Sequence, residues 1–396
     1  MAYDDYIKTY NISTTSQLFD IIKGKDNYPD IRENYIFRGL KKSSYNLIPS
    51  SLRLNDKSKN LIDEFIDNSF NFSFAPDVGH AYELGLIDFP FPCQNCIFQA
   101  GYAYKSGLID EKTYSDYMGH GIMYITNFRG LNSNDRNSKY PSLKEIHNIW
   151  EFNFEKEIHV LLKFLSIADK SGLKVPDNIR LRKQIHRNSD NSIKNTIYGD
   201  LWPQQEYFEI ISLAQHYGLP TRALDWTYDY KVALYFAAIG LLDDNNKEDC
   251  ILWALNYKIF EDFKLGRFED EIFPLHFYRP EYNINPNLNA QRGLFTIWEE
   301  VYGQKVNEIS IDKKIVDFLD NGNVFIPLID FTSNFKDFIK KRNEKIFYKF
   351  IISKEIKSEI LQELYKEGYS EENLFPGYSG AVLSIKNKAK LDKKIK

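Results

Sequence analysis

Gln215-His216-Tyr217-Gly218-Leu219-Pro220-Thr221-Arg222-Ala223-Leu224-Asp225-Trp226-Thr227 packs Gln215, His216, Thr221, Arg222, Asp225 and Thr227 into one helix end and the segment that follows it. Before it, Gln204 to Tyr217 carries Phe208, Ile211 and Ala214 at helical spacing. Gly218 then supplies the C-terminal stop, and Pro220 forbids continuation. Behind it, Asp229 is a candidate cap for a second helix, in which Ala233, Phe236, Ala237 and Gly240 include small residues suited to close packing. Polar side chains are therefore held on a rigid turn between two packed helices. Buried polar groups at such density need mutual partners or a ligand. His216 and Asp225 offer an oriented acid–base pair, and Arg222 with Asp225 offers instead an ion pair that locks the turn. Trp226 suits either ring stacking or the core.

Working outward, the β-prone runs are Tyr35-Ile36-Phe37, Ile251 to Leu255, Phe295 to Trp298, Val324 to Leu328 and Tyr348 to Ile352. The first is expected to end at a tight turn at Arg38-Gly39. Helical patterns cover Thr14 to Lys23, Leu61 to Phe74, and a long segment opened by the capping box Ser142-Leu143-Lys144-Glu145. In the last, Leu143, Ile146, Trp150, Phe154, Ile158, Leu161 and Leu165 recur at three- and four-residue steps before Gly172 and Pro176. Ser353 opens a final helix with Ile356, Ile360, Leu361 and Leu364 inward. Helices and strands interleave without a βαβ rhythm, which predicts an α+β fold: a mixed, mostly antiparallel central sheet with flanking helices. Residues 1–30 read as a helical lead-in and 31–385 as one domain. Within it, 76–141 forms an irregular aromatic-rich insertion packed as an accessory layer. Asn178 to Asn195 reads as a polar loop, and 386–396 as a frayed, lysine-rich tail.

The chain has 396 residues, 43% hydrophobic and 27% charged, enough to bury a large core. Aromatics reach 15%, most of them expected in packing. With 51 basic and 55 acidic residues the net charge is −4, which implies no general affinity for nucleic acid. Three cysteines, Cys93, Cys96 and Cys250, are too few for a disulfide framework. Cys93 and Cys96 form a lone C-x-x-C that His80 and His120 could complete, but Phe89, Phe91, Ile97 and Phe98 around it favour buried thiols, so no metal site is expected. No apolar leader or membrane-length run is present, and the cytoplasm is the expected compartment.

Taken together, several motifs resemble the bacterial FRG domain. They are Phe37-Arg38-Gly39, Leu47-Ile48-Pro49-Ser50-Ser51-Leu52-Arg53, the Gln215–Thr227 run with Ala233-Leu234-Tyr235-Phe236-Ala237, Gln291-Arg292-Gly293-Leu294-Phe295-Thr296, and Leu374-Phe375-Pro376. Their order is similar to that of ADP-ribosyltransferases, which implies NAD or a related nucleotide as substrate. Arg38 would stand on the first strand, Asp225-Trp226-Thr227 on the second and Gln291 at the third. The resemblance assigns Arg38, Thr227 and Gln291 to catalysis, and the acid–base reading adds His216 and Asp225. Phe37, Gly39, Arg53, Gln215, Thr221, Arg222 and Trp226 would bind the nucleotide, with Gly39 letting a phosphate approach and Trp226 stacking a base or nicotinamide ring. It also implies a toxin or phage-defence effector with a protein or nucleic-acid target and a cognate antitoxin or defence partner. One departure stands out: Gly293 occupies the place where the transferase pattern has Glu. Asp225, Glu299 and Glu300 are the substitutes for the missing carboxylate. Two other readings stay open, a non-catalytic nucleotide- or partner-binding module and a His216/Asp225 hydrolase or nuclease.

Overall fold

The computed structural model describes residues 3–55, 60–67, 153–176, 201–265, 273–282, 285–301, 309–321 and 330–395. Its strands are β1 (Ile7–Ile12), β2 (Tyr35–Leu40), β3 (Leu201–Trp202), β4 (Ala223–Thr227), β5 (Cys250–Asn256), β6 (Leu275–Tyr278), β7 (Gly293–Trp298), β8 (Glu300–Val301) and β9 (Phe347–Ile352). Seven form an open sheet in the order β1-β9-β5-β2-β4-β7-β6, while β3 and β8 make a small separate ribbon. Only β1 and β9 run parallel; every other neighbouring pair is antiparallel. Helices cover both sheet faces, so the fold is α+β, with a mixed, mostly antiparallel sheet.

β5 shows why the sheet is covered on both sides. Its sequence CILWALN is apolar nearly throughout, and every residue is buried. Cys250, Leu252 and Ala254 join one cluster, with the helices Thr15–Ile22, Tyr230–Ala238 and Lys357–Lys366. Ile251, Trp253 and Leu255 join another, with Tyr257–Leu265, Ile311–Asn321 and Asp330–Arg342. An unbroken apolar strand is what two covered faces require. A third cluster lies between the helices Asn153–Lys170 and Phe208–His216. The caps are as the side chains dictate: Thr14 accepts from the Gln17 N–H, and Asp229 accepts from the Lys231 N–H. Among the described residues, no helix is long and apolar enough to cross a membrane.

The strand beginning at Tyr35 does not turn at Arg38-Gly39 but runs on to Leu40. Gly39 is required there by a helix. A Cβ at this position would stand 1.9 Å from the Ala233 carbonyl oxygen, so the Tyr230–Ala238 helix lies directly on the β2 backbone. No rotamer relieves a clash between a Cβ and a main-chain oxygen. Gly39→Ala is therefore expected to cost about 1–3 kcal/mol, the range for overpacking, read as a lower denaturation midpoint in urea.

The C-terminal region also differs from expectation. Ser353 opens a 3₁₀ turn and the helix Lys357–Lys366, but a further helix, Tyr378–Ile395, follows in place of a frayed tail. It docks through buried Ser384, Asn387 and Leu391, and Asn387 Nδ2 donates to Glu371 at 2.6 Å. Gly380 allows the approach, since a Cβ there would lie 1.9 Å from the Phe375 carbonyl oxygen. The described part of the Leu61 to Phe74 pattern is a 3₁₀ turn, Leu61–Phe65. The 76–141 insertion, the Ser142–Glu145 capping box, the 178–195 loop and the Val324–Leu328 strand lie outside the described residues, as do Cys93 and Cys96.

Candidate functional site

β2, β4 and β7 are consecutive in the sheet although far apart in sequence. β2 pairs with β5 along its whole length, and β4 pairs with β7 along its own. Between β2 and β4, however, only Phe37 and Thr227 are in register. Beyond that point the two strands diverge. A cavity of about 770 Å³ lies there, lined by Arg38, Gly39, Lys41, Arg53, Asp225, Thr227 and Gln291, with Phe236 and Val232 from the overlying helix.

Arg38 and Asp225 face each other across the opening. Arg38 Nη1 lies 2.8 Å from Asp225 Oδ2 and also donates to the Asp225 main-chain carbonyl. The arginine side chain is 10% exposed, whereas Asp225 is 63% exposed through the cavity mouth. Arg38 Nε is buried with no hydrogen-bond partner. Arg53 donates from Nε to the Ile48 carbonyl at 2.8 Å, so its side chain too is fixed at the wall. Burial, and then the Arg38 charge, lower the Arg53 pKa, but a guanidinium stays protonated at any physiological pH. For Asp225, burial pushes the pKa up, and the Arg38 guanidinium overrides it with help from Arg53. The result lies below the ordinary aspartate value of 3.8, so Asp225 is an anion at neutral pH.

The remaining residues singled out in the sequence fall into four groups. Thr227 and Gln291 line the cavity but are committed to the protein. Thr227 Oγ1 donates to the Gln291 carbonyl at 2.6 Å, and Gln291 Nε2 donates to the Leu374 carbonyl at 3.0 Å. Phe37 and Trp226 touch the cavity from the core: both are buried, and Trp226 Nε1 donates to Thr296 Oγ1 at 2.8 Å. Such a tryptophan is not placed to stack a ring. Gln215 and Thr221 stand behind Asp225, with Gln215 Nε2 donating to Asp225 Oδ1 at 3.0 Å.

His216 and Arg222 do not join the site. His216 is exposed, with its ring against Tyr217, and Asp225 is bonded to Arg38 and Gln215 instead. The helix ends at His216. Arg222 is buried at 3% exposure, 2.6 Å from Glu157 and 3.2 Å from Glu300. Its pairing with Asp225 is thereby excluded. Glu157 also accepts from Ser51 Oγ and Trp202 Nε1, and Glu300 is bonded to Lys314. Glu157 was missed in the sequence, yet it lies buried on the same helix as buried Val160 and Leu161. A carboxylate buried there signals a buried cation. Of the three substitutes for the missing glutamate, Glu299 pairs with His276 at 2.9 Å and Glu300 belongs to the Arg222 network. Only Asp225 opens on the cavity.

An α+β protein with a cationic cavity between splayed strands, floored by one accessible carboxylate, is the class that fold and site define. Residues 126–247 match the model of the FRG domain, and the chain carries that domain. The match includes the Gln215–Thr227 run and the overlying helix; Arg38 precedes it and Gln291 follows it. No curated protein and no solved structure matches the chain.

Proposed function

We propose that the cavity takes NAD or a closely related dinucleotide and that the protein is an ADP-ribosyltransferase-type enzyme. The observation that carries this reading is the orphaned Arg38 Nε in a cavity whose cations outnumber its carboxylates. Buried N–H groups are almost always paired in native proteins, so an unpaired one at a cavity wall points to an anionic ligand. Arg38, Arg53 and Lys41 against Asp225 leave an excess of two positive charges, which matches a pyrophosphate. Asp225 suits the other end of the ligand. Cleavage of the bond between ribose C1′ and the nicotinamide nitrogen sends the electron pair to nicotinamide and leaves positive charge on the sugar. A carboxylate with a lowered pKa is a poor base but a good electrostatic partner for that charge. The hydroxyl of water or of a target then bonds to C1′, and its proton passes to solvent. Thr227 and Gln291 hold the wall that shapes the site.

The biological setting proposed with this chemistry is a toxin or phage-defence effector of the bacterial cytoplasm, supported by the family resemblance. The hydrolase reading depended on a His216–Asp225 bond that does not form. Calorimetric titration of NAD into wild type and Arg38→Ala tests the ligand assignment. Loss of one charge-assisted contact, typically about 1.5–3 kcal/mol, is expected to weaken binding by about an order of magnitude or more. The melting temperature should change little, because exposed Asp225 regains water as its partner. Equal affinity for both proteins would show that Arg38 is scaffold.

A further inference from the structure

Ser50, Thr221 and Gln215 form a chain that ends on Asp225. Thr221 is pinned at its main chain: its N–H donates to Ser50 Oγ at 3.0 Å, and its carbonyl accepts from Ser51 N at 3.0 Å and Ser50 Oγ at 3.1 Å. The Thr221 hydroxyl accepts from the Ala223 N–H at 3.3 Å and donates to Gln215 Oε1 at 2.5 Å. The Asp225 carboxylate can only accept, so the end of the Gln215 amide that faces it is the nitrogen and the end that faces Thr221 is the oxygen. Nε2 donates to Asp225 Oδ1 at 3.0 Å.

This arrangement divides the Asp225 carboxylate. A carboxylate beside a guanidinium ordinarily accepts two parallel N–H groups in a fork. Asp225 instead reaches Arg38 through Oδ2 and Nη1, with Oδ1 held by Gln215. We propose that Gln215 is a positioning residue: by holding Oδ1 it prevents the Arg38–Asp225 pair from closing into an Nη1/Nη2 fork, and so keeps Arg38 Nη2 free for an anionic ligand. Gln215 and Thr221 act through Asp225 and touch no ligand themselves. The inference rests on the reading of the cavity as an anion site but needs no chemistry to occur there.

The test uses two probes, NAD and inorganic pyrophosphate, with the full chain. Gln215→Ala frees Oδ1, the pair closes, and binding of both probes is expected to weaken about tenfold. The melting temperature should stay the same or rise, since the closed pair replaces the lost bond. Thr221→Val should reproduce this loss by releasing the amide, and Thr221→Ser, which keeps the hydroxyl, should bind like wild type. In an Arg38→Ala background, Gln215→Ala should have no further effect on binding, a non-additivity that a general structural role would not give. Unchanged pyrophosphate affinity in Gln215→Ala, or a loss that persists undiminished without Arg38, overturns the proposal. If wild type binds pyrophosphate but not NAD, only the dinucleotide reading falls. If it binds neither, a ligand-accepting Arg38 is refuted as well.

Discussion

Arg222→Ala is expected to destabilise the protein by about 3–5 kcal/mol, measured by urea denaturation at neutral pH. The cost follows from what stays behind. Glu157 and Glu300 are both nearly fully buried, and Arg222 is the cation they share. Glu157 would keep its bonds from Ser51 and Trp202, and Glu300 its bond to Lys314, but the buried charge balance would be broken. Total stabilities are typically about 5–15 kcal/mol, so the loss is a large share of what holds the fold. Acid gives a second readout. Burial raises the Glu300 pKa, and Lys314 and Arg222 override it, leaving it below the ordinary value of 4.5. A depressed folded-state pKa means stabilisation that is present above 4.5 and lost as pH falls through the lower, folded-state value. Wild type should therefore lose this contribution in acid, and the gap to the variant should narrow there. A shift of less than about 1 kcal/mol at neutral pH would contradict the buried network.

The second large effect is expected on activity. Asp225→Asn should lower nicotinamide release from NAD about 10²–10³-fold, the range for loss of one preorganised electrostatic group. Its shape and its bond from Gln215 are nearly retained, so folding should not be at issue. Because Asp225 titrates below 3.8, the wild-type rate should show no acid limb from this residue down to that pH, and should fall only below it. A variant as active as wild type would remove Asp225 from the chemistry.

Four strands of the main sheet, β2, β5, β7 and β9, were legible in the sequence as short apolar runs, whereas the edge strands β1, read within a helical lead-in, and β6 were not. The core strand β5 and the cap Asp229 came from local patterns alone. What local patterns could not supply was the partner of each polar side chain. Arg222 and Asp225 are neighbours in sequence, but alternation along β4 and its approach sends them to different environments. Glu299 and Glu300 looked equivalent to Asp225 until His276, Lys314 and Arg222 were seen to hold them. Gly39 has a clear tertiary reason, contact with Ala233, that nothing around position 39 reveals. In the C-terminal helix the lysines hide the spacing of Gly380, Ser384, Asn387 and Leu391, whose docked face is small and polar as much as apolar.

The central claim is that the cavity between β2 and β4 binds and cleaves NAD with Asp225 as its carboxylate. The most direct measurement is mass-spectrometric detection of free nicotinamide after incubating purified wild type and Asp225→Asn with NAD, each with and without cell lysate as a source of targets. Wild type is expected to release nicotinamide in at least one condition, and the variant to release it at least about a hundredfold more slowly in that condition. No release from wild type in either condition, or equal release from both proteins, would contradict it.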